Sequence, residues 1–129
     1  MKSPYVPISW GELFDKITIL QIKFENLTSE DALKNVDREF KQLRAIFNEN
    51  FSADMEANRL EAELKQINQQ LWDIEDKIRD KERNGSFDNE FIQLARSVYI
   101  TNDERSRIKR RINDVFGSEL FEEKSYSEY

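Results

Sequence analysis

Residues 60–115, LEAELKQINQQLWDIEDKIRDKERNGSFDNEFIQLARSVYITNDERSRIKRRINDV, decide the fold. Leu60, Leu64, Ile67, Leu71, Ile74 and Ile78 step by 4, 3, 4, 3 and 4. Beyond Asn84-Gly85-Ser86 the same step carries Phe87, Phe91, Leu94, Val98, Thr101, Arg105, Ile108, Ile112 and Val115. Residues alternating three and four apart keep one stripe on an α-helix, so the spacing predicts two helices folded back as a hairpin. About 30 residues at 1.5 Å each make a rod of roughly 45 Å, longer than a compact chain of this size with its ~14 Å radius of gyration.

Upstream, Trp10, Leu13, Ile17, Leu20, Phe24 and Leu27 form a third stripe, and Leu33, Val36, Phe40, Leu43 and Phe47 a fourth, with the break at Thr28-Ser29. Both prolines, Pro4 and Pro7, precede residue 8, so none interrupts the helices that follow. Ser9-Trp10-Gly11-Glu12 matches a capping box, in which Ser9 accepts from the Glu12 N–H and Glu12 reaches back to the Ser9 N–H. Gly85 and Gly117 follow long charged segments, where a left-handed helix cap favours a residue without Cβ. The expected architecture is all-α, an elongated antiparallel four-helix bundle built on a long coiled-coil-like hairpin. Its helices fall near 9–27, 30–50, 53–84 and 88–116, within a single helical domain over 1–129. Residues 1–8 form an extended N-terminal arm, and 118–129 a docked C-terminal tail.

Composition narrows the chemistry. The chain is 38% hydrophobic and 36% charged, with no Cys and no His. This removes disulfides, thiolate or imidazole catalysis, and the usual zinc and haem ligands. The net charge of −6 argues against general nucleic-acid binding, which draws most of its affinity from a basic surface. The basic run RSRIKRR at 105–111 reads as a solvated face or a dock for the acidic tail SELFEEKSYSEY at 118–129. No segment has the length of apolar sequence that a signal peptide or membrane span requires, and we expect a cytoplasmic protein without membrane contact.

Several residues do not fit a plain hairpin. Trp72 and Tyr99 lie beside the core stripe and imply a second apolar surface, which helices 1 and 2 would cover to complete the bundle; a homodimer face or an aromatic ligand platform are the alternatives. Helix 1 carries Phe14, Ile19 and Ile22 outside its stripe, as a helix buried between neighbours does. Thr101 and Arg105 place polar groups on the stripe. A snorkelling Arg105 that reaches an Asp or Glu explains this most simply; an anion pocket with Arg96, Tyr99 and Asn102 is the functional alternative, and Asp103 shares the Arg96 face. Glu12 with Asp15, and Asp73 with Asp76, are carboxylate pairs three apart that would suit Mg²⁺ if they faced each other. With 26 acidic residues such pairs arise by chance, and neither a metal nor another cofactor is expected.

The segments ISWGELFDKITILQIK at 8–23, LWDIEDKIRDKE at 71–82, FIQLARSVYITNDERSRIKRRIN at 91–113 and EEKSY at 122–126 resemble an uncharacterised bacterial family, a domain of unknown function. The resemblance implies a short helical protein associated with tetratricopeptide-repeat or glycosyltransferase proteins, and it transfers no activity. The matching positions are Trp10, Asp15, Lys16, Trp72, Asp76, Arg79, Arg96, Tyr99, Asn102, Asp103, Lys124 and Tyr126. From Trp72 onward they form the candidate binding surface, because polar motif residues more often bind than pack. All-α nucleotide pyrophosphohydrolases place acidic pairs around Mg²⁺, but the two pairs here depart from that pattern. Helical chorismate mutases are allowed by composition, yet their ordered motif is missing. The resulting expectation is a helical interaction or accessory module that binds a protein partner or itself as a homodimer. A small metal- or anion-dependent helical enzyme is the alternative.

Overall fold

The computed structural model describes residues 1–129 and consists of four helices without strands. They are α1 (Trp10–Asn26), α2 (Glu30–Phe51), α3 (Met55–Arg83) and α4 (Asn89–Val115). Each begins at a side-chain cap: Ser9, Ser29, Asp54 and Asp88 accept from the N–H three residues on. Gly85 and Gly117, both at φ +64, end α3 and α4 in Schellman-type turns. In these the Ser86 N–H reaches the Lys81 carbonyl and the Ser118 N–H the Asn113 carbonyl.

α1 is the central element and packs against each of the other three helices, as its two apolar sides require. Its Leu13, Phe14 and Ile17 meet Phe47 and Phe51 of α2, Leu60 and Leu64 of α3, and Ile108 and Ile112 of α4. Phe14, Phe47, Phe51 and the partly buried Phe116 stack with ring centroids 4.6–5.8 Å apart. Arg44 ties α2 to α3 through Glu61 at 2.7 Å.

All of this core lies at one end of the hairpin. From residue 69 to residue 100 no side chain is buried. α1 and α2 are too short to cover this stretch, so the far half of α3, the Gly85 turn and the first turns of α4 project as a two-helix arm. The bundle therefore does not close over the flank marked by Trp72 and Tyr99. Trp72 is only half-buried, and Tyr99 is 44% exposed. The capping box also forms only in part. Ser9 accepts from the Glu12 N–H at 3.1 Å, but the Glu12 carboxylate turns to the Lys109 ammonium at 3.0 Å, because an ion pair outcompetes a neutral backbone donor.

Candidate functional site

The site begins with a buried line of α1 that carries two polar side chains. Gly11, Asp15, Thr18 and Ile22 follow one another at helical steps and are all buried. Asp15 is 2% exposed. Its carboxylate accepts from Arg105 Nε at 2.9 Å and from Arg105 Nη2, and from Asn68 Nδ2 at 2.9 Å. Lys109 Nζ stands 3.8 Å away. Asn68 also donates to Thr18 Oγ1, and Arg105 Nη1 donates to Asn102 Oδ1 at 3.2 Å. The Arg105 head thus reaches an acid, as its place on the stripe suggested.

The charges in this network sustain one another. Burial pushes the Asp15 carboxyl up, but Arg105, Asn68 and Lys109 outweigh it and hold the group below its ordinary value. The Asp15 hydrogen bonds raise Arg105 against the opposing effect of burial. Burial pulls Lys109 down, and Asp15, Glu12 and Glu122 together hold it above its ordinary value.

Nearer the N-terminus, α1 and α4 come into backbone contact. The Gly11 N–H donates to Asn113 Oδ1 at 2.7 Å, and the Trp10 N–H to Ser118 Oγ at 3.0 Å. A Cβ on residue 11 would lie 2.6 Å from the Lys109 carbonyl oxygen, so only glycine fits there.

Where the arm leaves the bundle, above the Asp15–Arg105 pair, a groove of about 540 Å³ opens between α1, α3 and α4. Ile19, Ile22, Leu71, Trp72 and Val98 form its apolar lining. Asn68, Glu75, Asp76, Arg79, Asn102 and Arg105 supply the polar groups. Residues 4–129 match a family model described as a family of unknown function, DUF6165. The chain belongs to that family. No curated protein and no solved structure matches it.

Membership agrees with the resemblance carried by the four motif segments, and the structure places six of the motif residues at two sites. Trp72, Asp76, Arg79 and Asn102 line the groove. Tyr99 and Asp103 lie on α4 facing the end of the tail, where the Tyr129 hydroxyl donates to Asp103 at 2.8 Å and the Tyr129 ring packs edge-on against Tyr99 at 5.0 Å. Arg96 joins neither set; it donates to Gln93 on its own helix. Lys124 sits 5.4 Å over the Tyr126 ring and 3.6 Å from Glu122. Tyr126 is 75% exposed, and the aromatic contact of the tail with α4 is made by Tyr129.

The two carboxylate pairs do not combine into a metal site. Asp15 is occupied by Arg105 and Asn68, Glu12 by Lys109, and Asp73 accepts from Gln69, while no group of three or more acidic side chains gathers anywhere in the chain. The partners missed from sequence are Asn68 and Asn113; Lys109 belongs to the basic run read as a dock for the acidic tail, and it does meet Glu122 at 3.0 Å while also facing Asp15. A stripe of small and polar residues at positions 11, 15 and 18 of α1, parallel to the apolar one, was the available signal for their contacts.

Proposed function

We propose that this protein is a non-catalytic helical interaction module that pairs with a second copy through its projecting arm. One observation carries the reading: residues 69–100 contain no buried side chain, yet they present Phe87, Ile92, Tyr99 and Ile100 at 60, 52, 44 and 39% exposure. The chain exposes 9147 Å², whereas a compact monomer of 15.5 kDa exposes about 7,200 Å². Residues 1–8, the tail and the arm all contribute to this excess. Two arms related by a two-fold axis would complete the four-helix cross-section that α1 and α2 leave open at this end.

Light scattering after size exclusion, from about 1 to 100 µM, tests this. The expected result is a dimer in the wild type and a monomer of unchanged helicity in Ile92→Asp/Ile100→Asp. A concentration-independent wild-type monomer refutes it. As a further partner we infer a glycosyltransferase, on the strength of the resemblance alone, and a pull-down with arm variants as controls tests that.

A second reading is favoured by the groove, whose volume falls within the ~300–1,000 Å³ of small-molecule sites. In it the indole of Trp72 and the charges of Asp76 and Arg79 hold a small ligand, with no chemistry performed. A thermal-shift panel of nucleotides, nucleotide sugars and Mg²⁺ tests it: stabilisation lost in Arg79→Ala supports it, and an inert panel refutes it.

A further inference from the structure

The groove along the last turns of α4 is formed on one side by Ser106, Arg107, Lys109, Arg110 and Asn113, and on the other by the chain's own Glu122, Glu123 and Lys124. Glu122 reaches Lys109 at 3.0 Å and Glu123 reaches Arg110 at 3.1 Å. The Arg110 guanidinium lies 4.6 Å over the Phe121 ring. The tail has no helix or strand beyond the turn at Gly117, and Ser118 is its last buried residue. Phe121, Glu122 and Glu123 remain 38, 48 and 79% exposed, the last two as side chains. The Arg110–Glu123 pair is exposed and holds the segment weakly, and Glu122 meets the buried Lys109 only from its solvent side. A segment tethered by a few residues occupies its site because the tether supplies an effective concentration of about 1 mM, not because its contacts are strong.

We propose that this α4 groove is a receptor for an acidic, aromatic-bearing peptide segment of a partner protein, and that residues 119–129 occupy it in cis as a built-in competitor. The recognition chemistry follows from the present occupant: two adjacent carboxylates for Lys109 and Arg110, an aromatic ring one residue before them to lie under the guanidinium, and a second ring a few residues on for Tyr99. A generic polyanion would use the charges and neither ring position. Lys109 stays paired with Glu12 when the tail leaves, so opening the groove strands no buried charge. This inference is independent of the Trp72 groove and shares only Tyr99 with the exposed face of the arm.

The test uses the full chain and a fluorescein-labelled peptide of residues 119–129, ELFEEKSYSEY, in fluorescence polarisation at about 50 mM salt. Glu122→Gln/Glu123→Gln releases the tail in cis without setting a new positive charge beside Lys109, which keeps Glu12 and Asp15 as partners. This variant should bind the peptide at least tenfold tighter than the wild type. Adding Arg110→Glu to it should abolish binding, and a peptide with both glutamates changed to glutamine should not bind. Peptide bound equally by wild type and variant, by neither, or with glutamines in place of glutamates overturns the proposal. So does a tail-released variant that loses the dimer seen for the wild type, which would assign the groove to the tail of a second copy. Equal competition by a short DNA duplex would make it an unspecific basic patch.

Discussion

Replacing Asp15 by Asn keeps the shape of the side chain and removes its charge, leaving the Arg105 guanidinium without its counter-ion in a site where only a quarter of the arginine side chain meets water. Breaking a buried ion pair from one side costs about 3–5 kcal/mol, and the partial exposure of Arg105 places Asp15→Asn near 3. That is a large share of the ~5–15 kcal/mol by which a domain is stable. With a urea m-value of about 2 kcal/mol/M the midpoint should fall by roughly 1.5 M at unchanged m. Asp15→Asn/Arg105→Met should recover at least half of the loss, because it removes the stranded charge as well. The pH dependence has a defined sign. The folded-state value of Asp15 lies below its ordinary 3.8, so its stabilisation is fully present above the unfolded value and is lost as pH falls through the depressed folded one. Wild type should therefore lose more stability than Asp15→Asn between pH 5 and pH 2. A cost below about 1 kcal/mol, or a double variant no more stable than the single one, refutes the role given to this pair.

Gly11→Ala should lower stability by about 1–3 kcal/mol in the same urea assay, since backbone atoms of α4 occupy the space of the new Cβ and outweigh the better helix propensity of alanine. Ala53 holds φ 65 between α2 and α3, a left-handed conformation that costs a residue with Cβ about 1–2 kcal/mol; Ala53→Gly should raise the melting temperature, the strain relieved exceeding the added freedom of the unfolded chain. Glu61→Gln should destabilise by about 1–2 kcal/mol through its contact with Arg44, read by chemical denaturation, whereas Glu56→Gln on the exposed surface should leave the midpoint where it is.

The helices were legible because their information is local. A step of three and four is visible within ten residues, and the stops at Gly85 and Gly117 need only a sequence neighbour and a backbone conformation. The site was less legible because its pairs are distant. Asp15 and Arg105 are separated by 90 residues, and 26 acidic side chains offered Arg105 equally plausible partners. What distinguishes Asp15 is its place between Gly11 and Thr18 on a second buried stripe of α1, a pattern that acquires meaning once α1 is known to be central. Trp72 was legible as an off-stripe aromatic, but whether α1 and α2 reach far enough to bury it depends on how the lengths of four helices align in space. Position in the sequence does not give that alignment.

The last buried residue of α3 before the arm is Asn68, and the first of α4 after it is Thr101; both are polar, and Asn68 bonds to Asp15. Polar groups thus mark the boundary between the packed bundle and the free arm. An apolar seam spaced three and four apart repeats every seven residues, so on its own it fits nearly as well after a slip of two turns. A buried carboxylate does not tolerate the slip. Shifting α4 by seven residues against α1 would bring Val98 or Ile112 to Asp15 in place of Arg105, and would strand its charge in the interior. The stability lost by burying two ions is returned as a single register, and that register places Trp72, Asp76 and Arg79 across from Asn102 to make one groove.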